Sequence, residues 1–334
     1  MSPASHKPIV VTGAAGFIGS NLALELHRRA THPLILVDRD DAPGRHRIVA
    51  ACGKAEFMDL HTFRDDIRRR AFESAAAVIH LGACSSTLET DEAFLADNNT
   101  RYTEELCTWC LDTGTRFIYA SSAAVYGDGS LGYDDDESLT ARLTPLNAYG
   151  RSKHHFDLWA LRTGAAHRIA GLRYFNVYGP GEEHKGPMQS VVRKAYDQVL
   201  NDGELSLFRS YRPEYRDGEQ VRDFVYVRDA VLVTLFFLDH PRINGIYNCG
   251  TGQERTWLDL GRAVFRALNR EPRIRFIDMP PALRDQYQYH TRARLDRLNA
   301  AGCMHPFTPL ETGVQEYVQW LNEQTDRPAG QAPR

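Results

Sequence analysis

The feature that most constrains the fold is an alternation of short apolar segments with longer amphipathic ones through the first half of the chain. The short segments are rich in β-branched and aromatic residues, and they span residues 9–12, 34–38, 77–81, 117–121 and 169–174. Such runs predict strands that are buried on both faces. The intervening segments, among them 21–29, 91–111 and 147–161, have helical spacing. Because strand–helix alternation forms right-handed βαβ units, we predict an α/β fold with a doubly wound parallel Rossmann sheet.

After residue 178 the pattern loosens and predicts a smaller mixed α/β lobe. We expect helices at 189–200, from 229, at 257–268 and at 310–321, and strands at 206–208, 224–227 and 246–249. Residues 1–178 should form the first domain, with later segments returning to it, and 179–324 mainly the second. The polar, proline-rich tail at 325–334 is expected to be disordered.

The charge balance argues against several classes of partner. With 40 basic and 43 acidic residues the formal net charge is −3, so no basic field attracts nucleic acid or an anionic membrane. The longest compact apolar stretch, 231–238, is far shorter than the roughly 20 residues that cross a bilayer. The first residues lack the order of a signal peptide. We therefore expect a cytoplasmic protein without nucleic-acid or membrane partners.

The six cysteines are too sparse for a disulfide framework. Cys107 and Cys110 form a Cys-x-x-Cys pair, a pattern that also occurs in redox and zinc sites. They lie inside a helical stretch, however, and no second pair stands at zinc-ligand spacing. We predict buried structural thiols and no metal site.

A glycine-rich turn indicates a dinucleotide site. Gly13, Gly16 and Gly19 follow the first predicted strand and open a helix. Backbone amides at a helix N-terminus bind anions, and glycine lets a pyrophosphate approach without a Cβ in the way. The spacing differs from the common fingerprint, and a bare structural turn is the alternative. Asp38 nevertheless ends the second strand roughly 20 residues later, where an acidic residue would hold a ribose hydroxyl.

The choice of dinucleotide depends on the residues around Asp38. This carboxylate alone favours NAD, because it repels a 2′-phosphate. Arg39 follows it, and Arg45, His46 and Arg47 lie on the next loop, where a guanidinium suits a phosphate. We predict NADP, with NAD as the alternative.

Tyr149 and Lys153 are spaced to share one helix face. Free tyrosine has a pKa of about 10 and is a poor base at neutral pH. A lysine cation and the preceding helix N-terminus would both stabilise the phenolate. Such a base takes a hydroxyl proton as hydride leaves to nicotinamide. Ser122, at the carboxyl edge of the predicted sheet, would hydrogen-bond the reacting oxygen.

In this order the motifs resemble the extended short-chain dehydrogenase/reductases, over essentially the whole chain except its first few residues and the tail. The resemblance implies a catalytic triad of Ser122, Tyr149 and Lys153.

A narrower resemblance rests on residues 80–87, 97–99, 173–180, 184–186, 222–227 and 287–291. These stretches are similar to the ADP-L-glycero-D-manno-heptose 6-epimerases, chiefly through Gly-Ala-Cys-Ser-Ser-Thr at 82–87 and His-Lys-Gly at 184–186. Members of that family interconvert the C6 epimers of an ADP-heptose, a precursor of the lipopolysaccharide inner core, with tightly held NADP. They also form homo-oligomers.

The resemblance implies inversion of C6 through a transient 6-ketone, with hydride returned to the opposite face. Because the sugar must present both faces, a second acid/base group is expected, and Lys185 is the family's candidate. It requires a lowered pKa. From the residues alone, an exposed or phosphate-binding lysine is the simpler interpretation.

The resemblance also implies two sets of contacts. The expected cofactor contacts are Gly13, Gly16, Phe17, Ile18, Gly19, Asp38, Arg39, Leu81, Gly82, Ala83, Asn99, Lys153 and His184. The expected substrate contacts are Ser85, Asn176, Pro187, Lys194, Phe208, Arg209, Ser210, Tyr211, Arg222 and Tyr287. Within the second set, residues 208–211 would line the adenosine side, and Arg222 and Tyr287 would reach the diphosphate. For Asn99 a helix-capping amide is the alternative.

The sequence departs from the family pattern in three places. Pro187 stands where a small hydroxyl residue is usual, which predicts the loss of one substrate hydrogen bond. Leu81 replaces a common glutamate at the cofactor edge. Residues 212–220 are longer and more charged than expected, so the substrate contacts there are open.

The same motifs bear on three other functions. A 4-epimerase of UDP- or GDP-sugars uses the same Ser–Tyr–Lys set and stays open as the alternative. A 4,6-dehydratase needs an Asp-Glu pair after the active serine, where this chain has Ala123 and Ala124. A non-catalytic NADP-binding protein typically loses the tyrosine or the lysine, and both are present.

Overall fold

The larger lobe is built on a seven-stranded parallel sheet. In the computed structural model, which describes residues 7–284 and 287–325, the strand order is β11-β6-β5-β4-β1-β2-β3. These strands are β1 (Ile9–Thr12), β2 (Leu34–Asp38), β3 (Glu56–Asp59), β4 (Ala77–His80), β5 (Arg116–Ser122), β6 (Ala170–Tyr174) and β11 (Gly245–Cys249). The predicted doubly wound sheet is therefore confirmed. The edge strand β3 was not predicted.

Helices cover both faces of this sheet, and alternate residues of each strand pack against the helices of opposite faces. Val10 packs into the core on one face, whereas Ile9 and Val11 pack into the core on the other, as the two-residue period of a strand requires. The first face carries α3 (Leu60–Arg69), α5 (Tyr102–Thr113) and α6 (Ala148–Arg162). The second carries α1 (Phe17–Arg29), α2 (Arg45–Cys52) and α8 (Val227–Asp239).

The predicted helix at 91–111 is present as one run of helical backbone, but it is not α-helical throughout. It consists of α4 (Glu92–Leu95), a π-helical turn (Ala96–Arg101) and α5. A single π turn within a helix inserts extra backbone and is often found at functional sites. Cys107 and Cys110 lie on α5, fully buried in the core, and both are free thiols.

The smaller lobe has its own core. Its strands are β7 (Asn176–Tyr178), β8 (Leu205–Phe208), β9 (Val221–Arg222), β10 (Phe224–Tyr226), β12 (Arg255–Thr256) and β13 (Ile274–Ile277). Its helices are α7 (Val191–Asp202), α9 (Trp257–Ala267), α10 (Pro281–Arg284), α11 (Asp296–Ala300) and α12 (Leu310–Thr325). The apolar faces of α7, α9 and α12 pack together against β8 and β10.

The chain passes between the lobes more than once, because α8 and β11 return to the larger sheet, where β11 pairs in parallel with β6. Thr325, the first residue of the predicted disordered tail, ends α12, and the rest of that tail lies outside the described residues. Within the described part of the chain, no helix combines the length and the apolar character that a membrane crossing needs.

Candidate active site

A cleft of about 1110 Å³ lies where the two lobes meet. One wall consists of the carboxyl ends of the parallel strands with the start of α1 and one face of α6. The other wall comes from residues 184–194 and from parts of the smaller lobe. The carboxyl edge of a doubly wound sheet is where ligands bind in such folds.

The glycine-rich turn is packed too closely for side chains. Gly13 has a φ of 70°, and a Cβ there would lie 2.7 Å from the backbone nitrogen of Gly82. A Cβ on Gly19 would overlap the carbonyl oxygen of Gly13. Gly16 caps α1 without a side-chain hydrogen bond, and the first turn of the helix contains no acidic residue. The turn thus offers backbone donors to an anion, which fits the pyrophosphate of a dinucleotide.

Asp38 lines the cleft at the end of β2. Its two carboxylate oxygens accept hydrogen bonds from the backbone amides of Ala15 and Arg39, each over 2.8 Å. Burial raises the pKa of the Asp38 carboxyl, and these two hydrogen bonds oppose the rise. The carboxylate is therefore fixed against the glycine-rich turn.

Of the four basic residues considered for a 2′-phosphate, Arg39 lines the cleft and the other three do not. The exposed Arg39 pairs with Asp41 at 3.5 Å. Arg45 lies over the ring of Phe57. Arg47 pairs with Glu183 at 3.0 Å, in the segment that carries Lys185.

Ser122, Tyr149 and Lys153 come together on one wall of the cleft. The helix α6 begins at Asn147, whose side chain accepts a hydrogen bond from the amide of Gly150, and this cap places Tyr149 in the first turn. Burial raises the pKa of the Tyr149 phenol, and its hydrogen bond with Ser122 lowers it. The net direction is upward, opposite to the expected stabilisation of the phenolate, because desolvation outweighs that hydrogen bond.

Lys153 is only 5% exposed. Burial lowers the pKa of its ammonium group to about 8, while the charge of Asp157, one helical turn further along α6, raises it. The group is therefore poised near neutral pH.

Three of the five lysines of the chain line this cleft: Lys153, Lys185 and Lys194. The ammonium of Lys185 lies 5.3 Å from the ring centroid of Phe17, the first residue of α1. Burial lowers the pKa of Lys185, the buried Glu182 raises it, and Lys194 lowers it. This is the direction that a basic role requires. Lys194 donates a hydrogen bond to the carbonyl of Pro187 over 2.7 Å.

Arg222 lies between two aromatic rings in the cleft. Its guanidinium carbon is 5.3 Å from the ring centroid of Trp257 and 4.9 Å from that of Tyr287. The indole nitrogen of Trp257 donates a hydrogen bond to the Tyr287 hydroxyl over 2.7 Å. The side chain of Arg222, 6% exposed, is thus held in a fixed orientation.

Most residues expected from the sequence line this one cleft. They are Gly13, Gly16, Phe17, Ile18, Gly19, Asp38, Arg39, Leu81, Gly82, Ala83, Ser85, Ser122, Tyr149, Lys153, Asn176, His184, Lys185, Pro187, Lys194, Arg222 and Tyr287. Trp257 also lines the cleft, and the sequence did not predict it. Its position at the start of α9 gives no local sign that it faces Arg222.

Asn99 differs from the expectation. It lies in the π-helical turn, is fully buried and does not line the cleft. Its Oδ1 accepts from the amide of Cys84, and its Nδ2 donates to the carbonyl of Cys84 and to Ser152 Oγ. These bonds occupy the side chain of Asn99, which therefore supports Cys84 and Ser152 instead of contacting a ligand.

Residues 208–211 also differ from the expectation, because none of the four lines the cleft. Arg209 pairs with Asp217 at 3.1 Å, and the backbone amide of Ser210 donates to the same carboxylate over 2.8 Å. The hydroxyl of Tyr211 donates to Asp278. Local ion pairs and hydrogen bonds thus engage Arg209, Ser210 and Tyr211 in this structure.

Comparison with known proteins agrees with this geometry. Residues 9–250 match the model of the NAD dependent epimerase/dehydratase family. The chain is 49% identical over 311 residues to the ADP-L-glycero-D-manno-heptose-6-epimerase of Nitratidesulfovibrio vulgaris (strain DP4), covering 93% of this chain and 96% of that protein.

Two solved structures are similar throughout. The ADP-L-glycero-D-manno-heptose-6-epimerase of Helicobacter pylori superposes with a TM-score of 0.79 at 26% identity, over 95% of this chain and 97% of the other. The UDP-glucose 4-epimerase of Thermus thermophilus, in complex with NAD, has a TM-score of 0.77 at 26% identity, over 94% and 99%.

Proposed function

This chain belongs to the NAD dependent epimerase/dehydratase family, and on that basis we propose that it converts ADP-D-glycero-D-manno-heptose into ADP-L-glycero-D-manno-heptose by inverting C6. The observation that carries this proposal is the meeting of Ser122, Tyr149 and Lys153 with Lys185 in one cleft. The sequence identity of 49% to a heptose epimerase, over 93% of this chain, supports the choice of sugar. The product would serve as a precursor of the lipopolysaccharide inner core.

When bound, a nicotinamide would supply a hydride acceptor that returns the same hydride, so the reaction would have no net redox change. Tyr149 takes the proton of the C6 hydroxyl as hydride leaves C6, which gives a 6-ketone. Ser122 donates a hydrogen bond to the reacting oxygen, and Lys153 favours the deprotonated phenol. The C6 carbon then receives hydride on its opposite face, and its oxygen regains a proton.

Lys185 is the proposed acid/base group for the second epimer. Its segment faces the wall that carries Tyr149, and burial lowers its pKa toward the range in which a lysine exchanges protons. Arg222, fixed between Trp257 and Tyr287, is the proposed partner of the substrate diphosphate.

For the cofactor we propose NADP, with Arg39 as the residue that meets the 2′-phosphate. Asp38 is already engaged by two backbone amides, which reduces its repulsion of a phosphate. Arg39 is exposed at the cleft and needs to leave only a surface ion pair. Calorimetric titration of cofactor-stripped protein with NADP and NAD tests the choice. Arg39→Ala should weaken NADP roughly tenfold and spare NAD, whereas Arg70→Ala, remote from the cleft, should change neither. Equal NADP binding in both variants would contradict the role of Arg39, and tighter binding of NAD than of NADP by the wild type would assign the cofactor to NAD.

The reaction is tested by incubating the purified protein with ADP-D-glycero-D-manno-heptose and following C6 by NMR. We expect inversion without added cofactor, and loss of inversion in Tyr149→Phe. If no inversion occurs with NADP or NAD supplied, the proposed sugar is wrong. Turnover of a UDP- or GDP-sugar would then establish the 4-epimerase alternative.

The resemblance also supports a homo-oligomer in the cytoplasm. The six cysteines are free thiols, which suits a reducing compartment. Light scattering coupled to size-exclusion chromatography would give the number of subunits. A monomer at all concentrations would contradict the proposed homo-oligomer.

A further inference from the structure

A fully buried ion pair lies behind the catalytic wall of the cleft. Arg173 on β6 and Asp157 on α6 are both inaccessible to solvent, with Nε and Oδ2 3.0 Å apart. The carboxylate of Asp157 also accepts hydrogen bonds from the hydroxyls of Tyr119 and Ser121, over 2.9 and 3.0 Å. Through this one side chain, α6 is joined to both β5 and β6.

Each of the other two guanidinium nitrogens of Arg173 also donates a hydrogen bond. The guanidinium donates to the hydroxyls of Tyr126 and Thr140, each over 3.0 Å, and lies over the Tyr126 ring. The Tyr126 hydroxyl donates in turn to the side chain of Asn248 on β11. An arginine remains charged in proteins, and a buried charge needs a partner. Asp157 is the carboxylate that partners the buried Arg173.

Asp157 is aligned with the residues proposed for the chemistry. Tyr149, Lys153 and Asp157 are spaced four residues apart on α6, so they follow one another along one face of the helix. On the strand side, Ser121 donates to Asp157, and the next residue is Ser122. The carboxylate therefore contacts the strand that carries Ser122 and lies one turn from Lys153.

The surroundings of Lys153 make this charge consequential. Burial is the largest influence on its pKa, and Asp157 is the carboxylate that opposes it. Other ionisable groups face Lys153 or Asp157 from each packed element. They are Cys84 after β4, His80 on β4, Tyr119 on β5, Tyr126 after β5, Arg173 on β6 and His154 on α6. His80 is neutral, because burial holds its pKa well below the usual value.

We propose that Asp157 is a positioning residue for the redox step: anchored to β5 and β6, its carboxylate fixes the face of α6 that carries Tyr149 and Lys153 against the strand that carries Ser122, and its negative charge acts on the Lys153 ammonium one helical turn away. The proposal rests on the function proposed above for Tyr149 and Lys153. A purely structural role would predict that loss of Asp157 changes stability alone. A positioning role also predicts a change in the protonation of Lys153.

The scarcity of lysines makes that protonation measurable. The chain has five lysines, at positions 7, 54, 153, 185 and 194, so protein labelled with ¹³Cε-lysine gives a simple NMR spectrum. The signal missing from Lys153→Met identifies Lys153. In Asp157→Asn we expect its titration midpoint to fall by at least about one pH unit, as for the loss of a nearby opposite charge. An unchanged midpoint would overturn the proposal.

Two further variants separate charge from packing. Tyr119→Phe removes one hydrogen bond to Asp157 but keeps its charge, so the Lys153 midpoint should stay at the wild-type value; a shift as large as that of Asp157→Asn would overturn the proposal. If Asp157→Asn fails to fold because Arg173 is left unpaired, the double variant Asp157→Asn/Arg173→Met removes both charges. Its Lys153 midpoint should also fall, by less, and a midpoint at or above the wild-type value would contradict the proposal.

Kinetics distinguish this inference from the proposed function. Activity that needs a charged Lys153 is lost as pH rises through its pKa, so the alkaline loss of epimerisation should begin at lower pH in Asp157→Asn. If the wild type epimerises and the variant keeps the same pH profile, only the inference fails. If the wild type epimerises no sugar, the proposed function fails, and the NMR titration still decides the inference.

Discussion

The side-chain amide of Asn99 donates a hydrogen bond to the hydroxyl of Ser152 over 3.0 Å, and this contact joins the π-helical turn to α6 between Tyr149 and Lys153. Ser152 in turn donates to the carbonyl of Tyr149. Asn99 also hydrogen-bonds the backbone amide and the carbonyl of Cys84, so it connects the segment after β4 with α6. The π turn supplies the local geometry that places this side chain between them.

Replacing Asn99 with alanine should therefore cost both stability and activity. The amide and carbonyl of Cys84 would lose their partner in a buried region, which costs about 1–3 kcal/mol per unsatisfied group. Urea denaturation would measure the free energy of unfolding. Asn98→Ala, which removes a single hydrogen bond to Asn99, should cost clearly less. Equal losses in the two variants would show that the Cys84 contacts add nothing.

Gly13 and Gly114 form a matched pair, because both have a φ of 70°. An alanine at Gly114 meets no neighbour, so it should cost only the left-handed backbone, about 1–2 kcal/mol. An alanine at Gly13 meets the backbone of residues 81 and 82 and should destabilise the protein further and abolish cofactor binding. Urea denaturation and calorimetry with NADP would compare them. Retained cofactor binding in Gly13→Ala would exclude the turn as the pyrophosphate cradle.

Lys185→Met should reduce kcat by about 10²–10⁴-fold, as expected for a lost acid/base group, with the fold intact. Lys194→Met is the matched control in the same cleft, and we expect it mainly to raise KM. Steady-state kinetics with ADP-D-glycero-D-manno-heptose would separate the two effects. Nearly full activity in Lys185→Met would show that the scheme with two acid/base groups is wrong.

His80 should make folding sensitive to acid. Thr103 uses its hydroxyl proton for the carbonyl of Asn99, so it accepts from Nε2 of His80, and Nδ1 accepts from Thr12. This arrangement needs a neutral ring, in keeping with the lowered pKa. The stabilisation is complete above the unfolded pKa of about 6.5 and falls by up to about 1.4 kcal/mol per pH unit below it. Urea denaturation at pH 7.5 and 5.5 should show this loss in the wild type, and a smaller one in His80→Gln. Equal pH dependence would refute the assignment.

The sequence predicted the central strands because buried parallel strands carry continuous β-branched runs. It also predicted most cleft residues, because the carboxyl edge of such a sheet collects them. The strand β3 was missed because Glu56 and Asp59 at its ends break the apolar pattern. The π turn has no compositional signature, so 91–111 read as one helix.

The remaining site features depend on tertiary contacts that spacing does not encode. Trp257 reaches Arg222 only because β9 and β12 pair, which brings residues distant in the sequence together. The hydrogen bonds of Asp157 depend on the register of β5 and β6 beneath α6. The local pairing of Arg209 with Asp217 likewise could not be read from the sequence.

The position of β11 at the edge of the larger sheet has a consequence for synthesis on the ribosome. The strand beside β6 is contributed by residues 245–249, after β7 to β10 and α7 of the smaller lobe have been translated. Until those residues leave the exit tunnel, β6 presents an open row of backbone donors and acceptors, the kind of edge that invites pairing with other chains. The nascent chain therefore carries this open edge while the 75 residues between the end of β6 at Tyr174 and the end of β11 at Cys249 are translated, and this interval is when a chaperone would matter most.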